Sequence, residues 1–155
     1  MVSTADLLDE HPDALVCAPG FVQYGGVTAF EGTVGTIRCL EDNVLLKQRV
    51  AEPGLGRVLV VDGGGSLRVA LLGDMVAGLA AANGWAGLVI NGCVRDVAVL
   101  RHLPIGIKAL GANPRPSGKE GAGEIDVPVE VGGITVRPGA HLASDDDGIV
   151  VLDAA

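Results

Sequence analysis

Two apolar segments near the middle of the chain restrict its fold more than any other feature. Residues 57–65 read RVLVVDGGG, and residues 87–94 read GLVINGCV. A short apolar run bounded by glycine is typical of a strand buried on both faces, as in sheets that helices cover. Between these runs the sequence predicts a strand over residues 67–72 and a helix over residues 74–83, which Gly84 ends. The middle of the chain therefore has the alternating pattern of an α/β protein.

The segments on either side add further strands and shorter helices. The predicted helices are residues 4–11, capped by Ser3 or Thr4, residues 41–54, ended by Pro53-Gly54, and residues 95–103. The predicted strands are residues 32–40, 105–111 and 148–153, with a hairpin over residues 127–139 that turns at Gly132-Gly133. Residues 113–124 are predicted to form a polar loop. We therefore expect a single α/β domain over residues 1–155, with mixed sheets and flanking helices.

Composition excludes several classes of function. The net charge is −8 at pH 7 and no run of lysine or arginine occurs, so direct binding to nucleic acid is not expected. The three cysteines form no C-x-x-C motif, which argues against a zinc knuckle or a disulfide framework. The acidic N-terminus lacks the apolar core of a secretory signal, and no run of about 18 apolar residues could span a membrane. We therefore expect a cytoplasmic protein.

Several short motifs resemble known binding signatures but lack a required residue. The glycines of residues 63–65 lack the third glycine and the helix of a dinucleotide-binding motif, which favours a tight turn between strands. Gly118-Lys119 lacks the preceding glycine and the following Ser or Thr of a phosphate-binding loop, which favours a flexible surface loop. Residues 144–148, SDDDG, are too short for an EF-hand and are interpreted as a solvated turn.

Only three charged residues lie in the apolar stretch of residues 71–100, and all three follow predicted strands. Asp74 stands where a predicted strand meets a helix, and Arg95-Asp96 stand at the next such junction. In α/β sheets, ligands bind beyond the carboxyl ends of the strands. Two successive strand–helix units could bring these corners together, and the sequence then predicts a small polar pocket.

Each of these charges also has a simpler structural interpretation. Asp74 alone is an ordinary helix N-cap, although the free amides of Met75 and Val76 behind it would also suit an anion. Arg95 and Asp96 alone could form a salt bridge that caps the next helix. The sequence leaves the structural and the functional interpretations open.

The chemistry of such a pocket would be coherent. An arginine binds a carboxylate through two hydrogen bonds. One aspartate together with waters is enough for Mg²⁺, which keeps much of its hydration. A cation beside the arginine would stabilise an enolate, and a second carboxylate could hold a water as a general base.

The order and spacing of these charges resemble a known family. Asp74, twenty residues and then Arg95-Asp96 are similar to the D-x20-R-D motif of the regulator of ribonuclease activity A family, which includes the class II 4-hydroxy-4-methyl-2-oxoglutarate aldolases. The flanks GGSLRVALLGDMVA and NGWAGLVINGCVRDV are similar too, as is the stretch from IGIKALGANPRPSGKEG to SDDDGIVVL. The resemblance covers nearly the whole chain.

The resemblance implies a fold, an assembly and a set of site residues. The fold is a swivelling β/β/α fold, assembled as a homotrimer with sites near the subunit boundaries. A divalent cation, Mg²⁺ or Mn²⁺, is implied at Asp96, and Asp74 is implied to position a catalytic water. The residues implied to bind pyruvate are Gly73, Asp74, Met75, Val76 and Arg95.

The resemblance also implies two kinds of function. The first is a lyase that cleaves 4-hydroxy-4-methyl-2-oxoglutarate into two pyruvates and decarboxylates oxaloacetate through the same pyruvate enolate. Because the better-studied aldolases carry more C-terminal sequence, we expect the aldol substrate to be the poorer one. The second is a regulator that binds ribonuclease E and masks its RNA-binding region, for which an acidic surface is suited. A methyltransferase function is sometimes assigned to members of this family. The sequence does not support it, because no glycine-rich nucleotide-binding loop occurs in a suitable context.

Overall fold

The computed structural model describes residues 2–153. Within them the helices are α1 Thr4–Glu10, α2 Val44–Val50, α3 Asp74–Ala82 and α4 Val97–Leu100. The strands are β1 Leu15–Val16, β2 Val22–Gln23, β3 Phe30–Arg38, β4 Val58–Asp62, β5 Ala70–Leu72, β6 Gly87–Val94, β7 Gly106–Ala112, β8 Glu124–Ile125, β9 Val129–Val131, β10 Ile134–Val136, β11 His141–Ser144 and β12 Ile149–Leu152.

Parallel strands form the centre of the main sheet. Strands β3, β4, β6 and β7 lie side by side in parallel, and β5 pairs in parallel with the end of β6. The antiparallel strands β11, β12 and β1 continue the sheet beyond β3, while β2 lies antiparallel to β7 at the other edge. Strands β9 and β10 form the predicted hairpin as a separate two-stranded sheet.

The central strands are buried on both faces, as their apolar runs predict. Leu59 and Val61 of β4 pack in one hydrophobic cluster, whereas Val58 and Val60 pack in the other. Helices α2, α3 and α4 contribute to the first cluster, and the strands β9 to β12 contribute to the second. The central sheet therefore has helices on one face and further strands on the other. This arrangement confirms the predicted α/β class with mixed sheets and flanking helices.

Three predicted elements are only about half as long in the structure as the sequence predicts. The helix predicted over residues 41–54 is reduced to α2, because the Asp42 carboxylate accepts the first helical amide at 3.1 Å and turns the chain there. The strand predicted over residues 67–72 is reduced to β5, because Ser66 Oγ accepts the amide two residues later at 3.2 Å. The helix predicted over residues 95–103 is reduced to the single turn α4.

Other elements match the prediction or were missed by it. Strand β6 has the predicted bounds, and α1 begins after Ser3, whose Oγ accepts the amide of Asp6 at 3.2 Å. The sequence did not predict β1, β2, β8 or β11, each of which has two to four residues.

In the described part of the chain, residues 2–153, no helix combines the length and the apolar character needed to cross a membrane.

Candidate active site

The ends of two adjacent parallel strands bring the predicted residues together. Leu72 of β5 pairs with Val94 of β6, and the amide of Arg95 donates to the carbonyl of Leu72 at 2.9 Å. Gly73 and Arg95 therefore leave the sheet side by side at its carboxyl-terminal edge. This is the arrangement that the two strand–helix units predicted.

Asp96 lies in a backbone conformation that aims its carboxylate at the neighbouring helix. Its φ of 60° and ψ of 38° are left-handed, which aspartate tolerates better than most residues. Its Oδ2 accepts the amide of Asp74 at 3.0 Å. Asp96 therefore caps the start of α3, although its own backbone precedes α4.

Gly73 allows this close approach. A Cβ at residue 73 would lie 2.8 Å from Oδ2 of Asp96 and 3.4 Å from Nε of Arg95. Its φ of −126° and ψ of −171° are ordinary extended backbone, so the glycine is required by the space and not by the conformation. The side chains of Arg95 and Asp96 occupy the volume that a larger residue at this position would need.

The first turn of α3 contributes backbone donors. Asp74 is the first residue of the nine-residue helix, and Gly73 before it provides no side-chain cap. The amides of the first turn have no partner within the helix and carry the positive end of its dipole. The simple interpretation of Asp74 as the N-cap is therefore wrong by one residue, because the helix already includes it.

Arg95 forms no ion pair with another residue of the described part of the chain. Its side chain is exposed, and the one hydrogen bond that this side chain makes to a described residue is a long contact of 3.5 Å from Nη1 to the carbonyl of Pro114. None of the ion pairs formed within residues 2–153 includes Arg95 or Asp96. The alternative of a salt bridge between these two residues is therefore wrong, and most N–H donors of the guanidinium have no acceptor among residues 2–153.

All six residues implied as site residues line one open cavity of about 410 Å³. They are Gly73, Asp74, Met75, Val76, Arg95 and Asp96. The side chains of Leu71 and Leu79 supply an apolar part of the wall. Met75 is 84% exposed, although it lines the cavity. The structure thus brings together every residue that the sequence singled out for the site.

The cavity also contains polar residues that the sequence analysis missed. Lys119 Nζ donates to Oδ1 of Asn43 at 2.7 Å, and Nδ2 of Asn43 donates to the carbonyl of Leu71 at 3.1 Å. Lys47 and Ser117 complete this polar wall. The interpretation of Gly118-Lys119 as part of a flexible surface loop is corrected, because hydrogen bonds hold this loop against the start of α2. A lone lysine in a glycine-rich loop gives no local signal of that contact.

The carboxylate oxygens of Asp96 fit a hydrated divalent cation. Oδ2 is hydrogen-bonded to the Asp74 amide, whereas Oδ1 accepts no hydrogen bond from the described residues. One carboxylate oxygen, completed by waters and substrate oxygens, suits Mg²⁺ or Mn²⁺. Residues 2–153 contain no group of three or more His, Cys, Asp or Glu side chains placed to hold an ion. A cage made wholly of such side chains is therefore absent from that part of the chain.

Fold and cavity together define a mixed α/β protein with a polar cavity where parallel strands end and helices begin. A model of the RraA-like family, described as Aldolase/RraA, matches residues 4–151. The chain belongs to this family, which includes both aldolases and RNA-processing inhibitors.

Solved structures of related proteins agree with this assignment. The RNA-processing inhibitor RraA from Thermus thermophilis is 48% identical, with a TM-score of 0.96 over 98% of this chain and 93% of that one. A protein from Geobacillus kaustophilus described as an S-adenosylmethionine:2-dimethylmenaquinone methyltransferase is 45% identical, with a TM-score of 0.94 over 99% and 96% of the two chains. An unusual RraA-family member from Streptomyces coelicolor, of the RNase ES inhibitors, is 30% identical, with a TM-score of 0.80 over 99% and 81%.

Proposed function

We propose that the protein is a divalent-metal-dependent lyase that acts on 2-oxo acids. The proposed reactions are the aldol cleavage of 4-hydroxy-4-methyl-2-oxoglutarate to two pyruvates and the decarboxylation of oxaloacetate. The observation that carries the proposal is the gathering of Arg95, Asp96 and the start of α3 around one cavity. Membership of a family that includes aldolases supports it.

The residues of the cavity have complementary roles in this proposal. The guanidinium of Arg95, which has no carboxylate partner in the described structure, binds the carboxylate next to the 2-oxo group. The turn of residues 73–76 supports the same end of the substrate with backbone amides. Asp74 holds a water that accepts or returns a proton as general base or acid.

Asp96 would hold the divalent cation through its Oδ1 atom. When bound, the cation supplies stabilisation of the negative charge that develops on the 2-oxo oxygen. The hydrogen bond from the Asp74 amide to Oδ2 fixes the orientation of the Asp96 carboxylate. This contact gives Asp96 a defined geometry despite its exposure.

Both reactions break the same bond, the one between C3 and C4. In the aldol cleavage, the water held by Asp74 takes the proton of the C4 hydroxyl, and the bonding electrons form the enolate of pyruvate while the other half leaves as pyruvate. In the decarboxylation, carbon dioxide leaves instead and the same enolate forms. In the aldol cleavage the water returns the hydroxyl proton to C3 of the enolate, and in the decarboxylation C3 receives a proton from the solvent through the same water. Arg95 keeps the shared 2-oxo acid end in place throughout.

A coupled assay with lactate dehydrogenase tests the proposal. We expect pyruvate release from oxaloacetate that depends on Mg²⁺, is abolished in Asp96→Ala and falls strongly in Arg95→Ala. Arg101→Ala is the matched control, because Arg101 is an exposed arginine outside the cavity. Activity that survives chelation, or that ignores the substitutions at residues 95 and 96, would reject the lyase.

Regulation of RNA processing is the second candidate. Two of the related structures are described as inhibitors of RNA processing or of RNase ES, and the net charge of −8 suits contact with a basic RNA-binding segment. We propose ribonuclease E as the partner, with inhibition that persists in Asp96→Ala because it needs no chemistry. Purified ribonuclease E whose binding and cleavage are unaffected by the protein would remove this candidate.

We also propose that the active form is a homotrimer with the cavity near a subunit boundary. Met75 and Leu79 of α3 support this proposal, because both are exposed apolar side chains that line the cavity. A second copy of the chain that covers them would also enclose the site. Light scattering on the purified protein tests the assembly, and a monomer at micromolar concentration would refute it.

A further inference from the structure

Asp42 is a buried carboxylate that binds backbone amides from two parts of the chain. It is 4% exposed, and its Oδ1 accepts the amide of Val44 at 3.1 Å. Its Oδ2 accepts the amides of Glu120 at 2.6 Å and Gly121 at 3.1 Å. Burial favours a raised pKa for Asp42, but these backbone hydrogen bonds outweigh it and hold the pKa below its ordinary value. The carboxylate therefore stays charged and joined to both segments.

The two segments that Asp42 joins carry the two partners of one hydrogen bond in the cavity. The start of α2 carries Asn43, and the loop bound to Asp42 carries Lys119, whose Nζ lies 2.7 Å from Oδ1 of Asn43. The amide of Gly118 adds a bond of 2.8 Å to the carbonyl of Glu41. Asp42 thus holds both sides of the contact that places the Lys119 ammonium at the cavity wall.

The ammonium of Lys119 is a further cation of the cavity wall, beside Arg95 and Lys47. Its hydrogen-bond partners are the neutral groups of Asn43 and Ser117, and none of the ion pairs within residues 2–153 includes it. Arg95 and Lys47 line the same cavity, and neither takes part in an ion pair within the described residues. A ligand that binds Arg95 and Lys119 at the same time carries two negative groups, and the two substrates proposed above are both dicarboxylates.

We infer that Asp42 is a positioning residue that holds Lys119 in place to bind the second carboxylate of a 2-oxo dicarboxylic acid. The inference rests on the proposed function for the class of substrate. It makes the cavity selective for dicarboxylates over pyruvate itself. A role of Asp42 in capping α2 alone would give no such selectivity, because Lys119 would then be independent of it.

Calorimetric binding tests the inference without turnover. The probes are 2-oxoglutarate, a dicarboxylate, and pyruvate, a monocarboxylate, each titrated in the presence of Mg²⁺. We expect Lys119→Met and Asp42→Asn each to weaken 2-oxoglutarate binding by about tenfold or more and to change pyruvate binding little. The asparagine is isosteric but turns one acceptor into a donor, which faces the loop amides or the α2 amide.

The double variant separates positioning from general damage. If Asp42 acts through Lys119, then Asp42→Asn has no further effect in the Lys119→Met background. The matched control is Asp145→Asn, which removes an amide-binding carboxylate outside the cavity. If Asp42→Asn does not fold, Glu120→Pro takes its place in the comparison with Lys119→Met, because proline removes one of the amide donors to Asp42.

Two results would overturn the inference. One is equal loss of 2-oxoglutarate affinity from the change at Asp42 in the presence and absence of Lys119. The other is no preference of the wild type for 2-oxoglutarate over pyruvate. These results are distinct from failure of the lyase proposal, which is a wild type without Mg²⁺-dependent activity on oxaloacetate. The KM for oxaloacetate should rise in both variants more than kcat falls.

Discussion

The substitution Gly73→Ala isolates the geometry of the candidate site from the stability of the fold. Alanine adopts the extended backbone of Gly73 without strain, since φ is −126° and ψ is −171°. The added methyl group would lie 2.8 Å from Oδ2 of Asp96, whereas ordinary contact begins at 3.4 Å. The carboxylate must therefore retreat by about 0.6 Å, away from the Asp74 amide that it now accepts at 3.0 Å.

The expected effect falls on activity and much less on stability. The atom that must move is the end of an exposed side chain, so we expect the free energy of unfolding to change by less than about 1 kcal/mol. A displacement of this size at a group that orients the reaction should lower kcat/KM for oxaloacetate by about 10- to 100-fold. Pyruvate release coupled to lactate dehydrogenase measures kcat/KM, and urea denaturation measures the free energy of unfolding.

Gly78→Ala in the same helix is the matched control. A Cβ at residue 78 meets no atom within 4 Å, so this change should leave kcat/KM intact. It should stabilise the protein by about 0.5–1 kcal/mol, because alanine is the better helix former. Wild-type kcat/KM in Gly73→Ala would refute the reasoning, and so would an equal loss of activity in both variants.

Three further predictions concern stability and reactivity. Asp96→Ala should be less stable than Asp96→Asn by about 1 kcal/mol in urea denaturation, because asparagine tolerates the left-handed backbone and alanine does not; equal stability would contradict the reading of this conformation. Burial favours a raised pKa for Asp145, but the hydrogen bonds from Thr4 outweigh it and lower the pKa. The stability that the charged Asp145 contributes is therefore present above the usual pKa of an aspartate and is lost as the pH falls through the lowered pKa. In Asp145→Asn that acid-dependent part of the Tm should disappear, whereas an unchanged Tm profile below pH 4 would refute it. Burial raises the pKa of Cys17 to about 11 and that of Cys39 to about 12, so neither thiol should react with Ellman's reagent at pH 8 until the protein is denatured; rapid reaction of the native protein would disprove the prediction.

The elements that the sequence predicted well are those whose signal is local. Strand β6 was predicted with its observed bounds, because an apolar run buried on both faces needs no knowledge of its neighbours. Strand β11, with the sequence HLAS, was missed because only its pairing with β3 and β12 makes it a strand. Contacts between distant segments, and not local propensity, decide such short strands.

The same distinction applies to the candidate site. Asp74, Arg95 and Asp96 could be grouped from the sequence, because adjacent parallel strands end at one edge of a sheet. Lys119 could not, since it reaches the cavity only through a loop that folds back on Asp42, 78 residues away from Glu120. No spacing rule connects a loop lysine to a helix start at that distance.

The left-handed backbone at Asp96 has a consequence for how this architecture can diversify. Asparagine and glycine also adopt that conformation at little cost, and the Asp96 side chain is exposed. A single exchange at this position can therefore remove the carboxylate proposed to hold the ion while the scaffold survives. A gene duplicate could lose the proposed chemistry in one step and keep a surface on which selection for protein recognition could act.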